Sequence, residues 1–199
     1  MDRNTKHNKA MAKQKAAVDE GIAKANIERG VSVLLTGDGK GKTSSAFGMV
    51  MRALGYGQKV GVVQFIKGAQ ASGEENFVRD HLPGVELHQM GTGFTWDTQD
   101  RESDIAAAKR TWEHARKMLA DASYDLVVLD ELTYMLKFGY LDFATLEQAL
   151  AKRPAEQTVI VTGRNAHRDL LAMADTVTEM QEIRHAFNDG LQARRGIDY

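Results

Sequence analysis

Residues 31–54 constrain the fold of this chain more than any other stretch, because an apolar run there leads into a glycine-rich turn and then into a helical pattern. The turn, residues 36–43, reads TGDGKGKT. Small residues let backbone N–H groups converge on an anion, and a helix that begins directly after them points the positive end of its dipole at the same place. The stretch therefore predicts a phosphate-binding loop between a strand and a helix.

Two residues of this loop have expected chemical roles, and we predict them to be catalytic. Lys42 is expected to reach the terminal phosphates of a nucleotide, and Thr43 to offer its hydroxyl to Mg²⁺ or Mn²⁺. The alternative is an ordinary glycine-rich turn, which requires the sequence GKGKT to fall at a strand-to-helix junction by accident. The predicted nucleotide-binding residues are Gly37, Asp38, Gly39, Lys40, Gly41, Lys42 and Thr43.

One position of the loop departs from the strict phosphate-loop pattern, which places a glycine five residues before Gly41. That position is Thr36, and the first glycine follows one residue later, at Gly37. The strand pattern before the loop and the helix pattern after it are both present. We therefore keep the prediction and expect the phosphates to sit differently from those in an ordinary NTPase.

Length and composition limit the classes of protein that fit the chain. Its 199 residues fit one domain with a substantial core. The 26 Lys and Arg residues against 27 Asp and Glu leave a net charge of −1, which gives no general attraction to nucleic acid or to a membrane surface. The absence of cysteine excludes disulfides, thiolate metal sites and a catalytic thiol. With no long apolar run and no signal sequence, we expect a soluble protein of the cytoplasm.

Residues 1–29 differ in character from residues 30–199, which we predict to be a single domain. The first segment is polar and leans basic, with Val18, Ile22 and Ala25 forming a thin apolar stripe at helical spacing. This pattern is compatible with a helix that docks on another surface as a lid. A solvated arm that frays ahead of the first strand is the alternative.

Runs rich in apolar residues alternate with helical patterns along most of the remaining chain. Alternation of this kind predicts an α/β fold: a mostly parallel central sheet with helices on both faces, in the three-layer (RecA-like) phosphate-loop arrangement. Ligands of such sheets bind outside the carboxyl ends of the strands. The predicted strands after the first are residues 59–66, 85–90, 124–129, 158–162 and 176–180.

Asp130 and Glu131 close the apolar run that ends at Leu129. In a phosphate-loop protein, a carboxylate at that place holds Mg²⁺, so Asp130 and Glu131 join Thr43 as predicted metal ligands. Alone the pattern is weak, since Asp130 could simply cap the following helix. Together with the loop it favours the metal role.

Four further residues fall near strand ends. Phe94 and Trp96 lie in a glycine-spaced segment. Aromatic residues after a strand usually pack in the core, but large rings on such a segment beside a nucleotide site are poorly explained by packing. Arg164 could contact phosphate or pair with an acidic side chain. The sequence assigns no role to Arg164 or to Lys67.

Six separated blocks of the sequence, in order, resemble the phosphate-loop corrinoid adenosyltransferases (the CobA/BtuR family). The resemblance runs from about residue 26 to the C-terminus. The loop of that family also begins with a residue other than glycine, so Thr36 becomes part of the resemblance. The blocks are TGDGKGKT at 36–43, VVQFIKG at 62–68, TGFTW at 92–96, VVLDELTY at 127–134, TGR at 162–164 with HRD at 167–169, and GIDY at 196–199.

The resemblance implies an enzyme that transfers the 5′-deoxyadenosyl group of ATP to the cobalt of a reduced corrinoid, cob(I)alamin or cobyrinic acid a,c-diamide, and releases triphosphate. It also implies that ATP lies reversed relative to ordinary phosphate-loop enzymes, with C5′ at the reacting centre. Thr43 and Glu131 match the positions that hold the metal, with Asp130 close by. Phe94 and Trp96 match aromatic residues that bind the corrinoid. These residues crowd the lower face of the corrinoid and exclude its axial ligand, which makes the cobalt easier to reduce.

The same resemblance implies a homodimer whose N-terminal segment covers the corrinoid site, and a reduced flavoprotein such as flavodoxin as electron donor. The residues alone leave two other interpretations open. One is an ordinary ATPase or small-molecule kinase, for which Glu131 is the only obvious residue to position water or act as a base. The other is a non-catalytic nucleotide switch that binds a partner protein.

Overall fold

The strands that the sequence predicts pair side by side in one sheet. The structure, a computed structural model, describes residues 2–66, 72–91 and 100–198. Within these ranges the paired strands all run parallel, in the order β3-β2-β4-β5-β1-β6. The strands are β1 (Ser32–Thr36), β2 (Val60–Gln64), β3 (Glu86–Gln89), β4 (Leu126–Asp130), β5 (Thr158–Thr162) and β6 (Thr176–Glu179).

Helices connect the strands and flank the sheet. α2 (Lys42–Gly55) follows the glycine-rich loop, and α4 (Arg101–Ala120) begins after Asp100, whose side chain accepts a hydrogen bond from the backbone N–H of Ser103. The others are α1 (Arg3–Lys24), α3 (Gly73–His81), α5 (Thr133–Lys137), α6 (Phe143–Lys152) and α7 (Arg168–Met173), with a 3₁₀ turn at Ala186–Asp189.

Each face of the sheet is covered by its own apolar core. One core joins strand residues such as Val63 and Leu129 to α4, α6 and α7. The other joins their neighbours Val62 and Val128 to α2 and α3. Successive side chains of a strand point to opposite faces, so a sheet covered on both sides requires strands that are apolar at nearly every position. The predicted α/β fold, a parallel sheet with helices on both faces, is confirmed.

The N-terminal segment forms a helix, α1, in which no residue is buried. Its apolar stripe, including Val18 and Ile22, is exposed. The segment is thus helical, as in the first alternative, but exposed to solvent along its length, as in the second. Its docking as a lid stays a prediction. None of the helices in the described part of the chain is long and apolar enough to cross a membrane.

The order of the strands places the polar ends of four of them next to one another. β5 lies between β1 and β4, so the loop after β1 and the acidic end of β4 face each other across the end of a single strand. β2 borders β4 on its other side. Because the strands are parallel, their carboxyl ends share one rim, and a ligand site is expected there.

Candidate nucleotide-binding site

The glycine-rich loop after β1 packs against the segment that follows β6. Gly39 donates its N–H to the carbonyl of Met180 at 2.7 Å, and Met180 donates its own N–H to the carbonyl of Thr36 at 2.8 Å. At Gly37, φ is +96° and a Cβ atom would lie 2.3 Å from the Met180 carbonyl oxygen. Both the backbone conformation and the close contact therefore require glycine at position 37.

α2 begins at the end of this loop and points its N-terminus into the site. Gly41 precedes the helix with φ of 112°, a conformation that residues with a side chain adopt at a cost. Its carbonyl accepts the N–H of Ser45 at 2.7 Å and closes the first turn. The N–H groups at the start of a helix have no partner within it, and together with the helix dipole they favour an anion here.

Lys42, the first residue of α2, places its ammonium group over the loop. The side chain is buried, and Nζ donates a hydrogen bond to the carbonyl of Gly39 at 2.7 Å. Burial lowers the pKa of Lys42, and the nearby carboxylate of Glu131 opposes part of that shift. An ammonium group that has lost much of its water interacts strongly with a phosphate that approaches it.

The carboxylate of Asp130, at the end of β4, organises the polar side chains around it. The exposed fraction of Asp130 is only 2%. Its Oδ1 atom accepts hydrogen bonds from the hydroxyls of Thr43 at 2.9 Å and Thr162 at 2.7 Å. Its Oδ2 atom accepts one from Nε2 of Gln64 at 2.9 Å. Asp130 therefore fixes the position of the Thr43 hydroxyl at the start of α2.

Glu131 has a left-handed backbone conformation, with φ of 57°, which is uncommon for a residue with a side chain. Its N–H donates to the hydroxyl of Thr162 at 2.9 Å, and its side chain lines a cavity beside the loop. Gly163 approaches from β5, since a Cβ there would lie 2.0 Å from the Thr133 hydroxyl oxygen and 3.2 Å from Glu131 Oε2. Strained backbone of this kind is often found at functional sites.

The cavity has a volume of about 470 Å³, with residues 39–44 of the loop and of α2 on one side. Arg164 and the first turn of α3 border it as well. The hydroxyl of Thr43 and the carboxylate of Glu131 are oxygen ligands of the kind that Mg²⁺ takes together with substrate phosphates. The residues that are present therefore fit the predicted metal ion and the predicted triphosphate.

The C-terminal segment forms a further wall of this cavity, a position that was not predicted from the sequence. Residues 196–198 line it, and the carboxylate of Asp198 pairs with Lys40 of the loop at 2.6 Å. Asp198 also accepts a hydrogen bond from the backbone N–H of Arg194 at 2.8 Å. The block GIDY at the C-terminus is the one sequence signal that could have pointed to this contact.

Most of the predicted site residues lie around this single cavity. Residues 39–43 and Glu131 line it, and so does Arg164, to which the sequence assigned no role. Asp130 accepts a hydrogen bond from the hydroxyl of Thr43. Two other predicted nucleotide-binding residues occupy different positions in the loop: Gly37 packs against the segment after β6, and Asp38 is exposed.

Three residues singled out from the sequence lie outside the described residues: Lys67, Phe94 and Trp96. Gln64 and Thr162 fall within the predicted strands 59–66 and 158–162, and the sequence assigned neither of them a role. Their hydrogen bonds to Asp130 depend on which strands are neighbours, and the sequence pattern does not specify that order.

The sequence resembles known proteins over nearly its whole length. A sequence model of the family described as ATP:corrinoid adenosyltransferase BtuR/CobO/CobP matches residues 28–199. The chain is 56% identical over 185 residues to the corrinoid adenosyltransferase of Escherichia coli, with 93% of each chain covered. It is 53% identical over 187 residues to the corrinoid adenosyltransferase CobA of Salmonella typhimurium, with 94% of each covered. It is 52% identical over 198 residues to that of Pseudomonas aeruginosa, covering 100% of this chain and 98% of the relative.

Among solved structures, the flagellar accessory protein FlaH from Methanocaldococcus jannaschii matches with a TM-score of 0.48 and 11% identity, covering 78% of this chain and 73% of that chain. The family match includes the loop, the acidic end of β4 and the C-terminal wall of the cavity.

Proposed function

This chain belongs to the ATP:corrinoid adenosyltransferase family BtuR/CobO/CobP, and we propose that it transfers the 5′-deoxyadenosyl group of ATP to the cobalt of a reduced corrinoid. The corrinoid is cob(I)alamin or cobyrinic acid a,c-diamide, and the other product is inorganic triphosphate. The chain is accordingly a transferase of cobalamin biosynthesis, leading to adenosylcobalamin. The observation that supports this most directly is the cavity at the start of α2, where Lys42, Thr43 and Glu131 meet.

The proposed reaction forms a bond between cobalt and C5′ and breaks the bond between C5′ and the oxygen of the α-phosphate. Both electrons of the new bond come from cob(I), and the electron pair of the broken bond leaves with triphosphate. Cob(I) is already a strong nucleophile, so no general base is required. The protein has to hold C5′ in line with the cobalt and stabilise the charge of the leaving group.

Stabilisation of triphosphate is the task for which the described residues supply groups. The ammonium of Lys42 and the N-terminus of α2 direct positive charge into the cavity. Arg164 borders the same cavity, and we assign its guanidinium group to a phosphate oxygen. Groups that are already in place when charge develops on the leaving oxygen lower the barrier to its departure.

We assign Mg²⁺, or Mn²⁺ in its place, to Thr43 and Glu131. When bound, such an ion neutralises part of the triphosphate charge. The hydroxyl of Thr43 donates a hydrogen bond to Asp130, so the lone pairs of Oγ1 are available to a cation. Asp130 already accepts hydrogen bonds on both carboxylate oxygens, so we assign it a role that acts through Thr43.

The rest of the proposal concerns the corrinoid and its reduction. We assign Phe94 and Trp96 to the lower face of the corrinoid, where they exclude the axial ligand and ease reduction to cob(I). We assign α1 to cover the corrinoid site in a homodimer, because a helix of this length with no buried residue gains stability mainly from packing against a partner. A reduced flavoprotein such as flavodoxin supplies the electron, and the enzyme acts in the cytoplasm.

Alkylation of cobalamin tests the proposed function. The protein is incubated in the dark with Mg·ATP and chemically reduced cob(I)alamin, and the absorption spectrum of the corrinoid is followed. We expect a light-sensitive alkylcobalamin that forms only when both the protein and ATP are present, and that forms only in traces with Lys42→Ala. If ATP is consumed while the corrinoid stays unalkylated, the proposal is wrong.

A further inference from the structure

Three polar side chains stand in register at the carboxyl ends of β3, β2 and β4. In the strand pairing, Gln64 lies beside Gln89 on one side and Asp130 on the other. Nε2 of Gln89 donates to Oε1 of Gln64 at 2.7 Å, and Nε2 of Gln64 donates to Oδ2 of Asp130 at 2.9 Å. Because Asp130 also accepts the Thr43 hydroxyl, these hydrogen bonds connect edge strand β3 to the start of α2.

We propose that Gln64 is a positioning residue for the metal-bound nucleotide: its amide holds the Asp130 carboxylate in the orientation that fixes the hydroxyl of Thr43. This inference rests on the proposed function only in taking the ligand to be Mg·ATP. Gln64 acts on the ligand through Asp130 and Thr43.

Burial leaves the Gln64 amide one productive orientation. The exposed fraction of Gln64 is 0%. Its carbonyl oxygen is taken by Gln89, and its NH₂ group faces Asp130. Turning the amide over would bring its carbonyl oxygen against a carboxylate oxygen of Asp130, so this hydrogen bond would be lost whichever way the Gln89 amide faces. The chain of hydrogen bonds therefore fixes which group points at Asp130.

Loss of this amide acts on Thr43 through Asp130. Leucine at position 64 is similar in size, but it leaves a buried carboxylate oxygen without this donor. A buried carboxylate oxygen that loses its donor is left unsatisfied, and the carboxylate rotates toward another donor in response. This rotation disturbs the hydrogen bond that orients Thr43. Outer partners of metal ligands typically contribute about tenfold to a hundredfold to metal affinity.

The chain offers a matched control in Gln157, just before the amino end of β5. Its exposed fraction is 1%, and its Nε2 atom donates to the backbone carbonyls of Met118, Asp121 and Tyr124. Gln157→Leu therefore removes an equally buried amide that has no contact with Asp130. It reports the general loss of stability that comes from deleting a buried glutamine.

The experiment measures two dissociation constants for ATP, one in Mg²⁺ and one in EDTA, for the parent protein, Gln64→Leu and Gln157→Leu. The unfolding temperature of each protein is measured as well. We expect Gln64→Leu to weaken binding of Mg·ATP about tenfold and to leave binding of metal-free ATP nearly unchanged. Gln157→Leu lowers the unfolding temperature and keeps the parent ratio of the two dissociation constants. Gln89→Leu removes the donor to the carbonyl oxygen of Gln64 and shifts the ratio in the same direction by a smaller factor. It takes the place of Gln64→Leu if that variant does not fold.

The proposal is overturned if the tested variant keeps the parent ratio of the two dissociation constants, or if Gln157→Leu changes that ratio as much. The readout is nucleotide binding and does not depend on transfer to cobalt. A parent protein that makes no alkylcobalamin, while the ratio shifts as expected, would contradict the proposed function and leave the role of Gln64 supported.

Discussion

The hydroxyl oxygen of Thr43 and a carboxylate oxygen of Asp130 lie 2.9 Å apart, although 87 positions separate the two residues in the chain. Thr43 is in the first turn of α2, and Asp130 ends β4. Only β5 lies between β4 and the strand that leads into α2. Since the Thr43 hydroxyl donates in this hydrogen bond, the lone pairs of its oxygen stay available for the cation that we assign to the cavity.

Replacing Thr43 with valine should weaken the use of Mg²⁺. Valine has nearly the shape of threonine without the hydroxyl, so Asp130 loses a donor and the cation that we assign to Thr43 loses a ligand. We expect the transfer rate at low Mg²⁺ to fall about tenfold to a hundredfold. Thr43→Ser keeps the hydroxyl and should keep most of the activity. A valine variant with the Mg²⁺ dependence of the parent protein would contradict the assignment of this ligand.

Replacing Lys42 with alanine should reduce transfer to a trace, whichever reductant is used. The change removes the buried ammonium that is assigned to the leaving triphosphate, and we expect kcat to fall by about 10² to 10³. Lys59→Ala is the control, because it removes the same charge at a place away from the cavity. Lys59 lies just before the amino end of β2, and its Nζ donates to the hydroxyl of Ser123 at 2.8 Å. Rates measured with pre-reduced cob(I)alamin should be unchanged in the control.

Replacing Phe94 or Trp96 with alanine should impair the enzyme mainly when it starts from cob(II)alamin with a flavoprotein reductant. The two rings are assigned to excluding the axial ligand, and a cobalt that keeps this ligand is harder to reduce. Supplying chemically reduced cob(I)alamin bypasses the step. Variants that stay inactive with pre-reduced corrinoid would show that the assigned role is wrong.

Asp175→Asn should make the free energy of unfolding less dependent on pH in the acidic range. The guanidinium group of Arg29 and the backbone N–H of Ser32 lower the pKa of Asp175 well below its usual value. Its contribution is therefore fully present above the unfolded pKa of about 4, and it is lost as pH falls through the lower folded value.

Urea unfolding at neutral pH and in acid measures this difference. We expect Asp175→Asn to be less stable than the parent at neutral pH, with the gap narrowing below about pH 4. Arg29→Lys keeps the charge but loses one of the two hydrogen bonds to Asp175, so its stability at neutral pH should lie between that of the parent and that of Asp175→Asn. A gap that stays constant with pH would show that Asp175 stabilises the fold by some means other than its charge.

The fold was predictable because the strands of a parallel sheet have a characteristic sequence pattern. Strands covered on both faces have long apolar runs, as β4 does from Leu126 to Leu129. Asp100 and Ser103 are both residue types that can precede a helix, and in the structure the side chain of Asp100 accepts the N–H of Ser103 at the start of α4. Both features depend on short-range sequence.

Contacts around Asp130 were less predictable, because they depend on strand order. Gln64 and Thr162 come from β2 and β5, which lie on either side of β4. A sequence that shows alternating strands and helices does not say which strands are neighbours. The contact between Lys40 and Asp198 was missed for a related reason, since the C-terminal segment has no periodic pattern to place it against the loop.

The identity of the phosphate product tests the central claim most directly. Parent protein is incubated with Mg·ATP and cob(I)alamin in the dark, and the phosphate products are separated by anion exchange. Attack of cobalt on C5′ predicts inorganic triphosphate in an amount equal to the alkylcobalamin formed. ADP and orthophosphate, with the corrinoid unchanged, would contradict adenosyl transfer and would mean that the cavity serves hydrolysis or phosphoryl transfer.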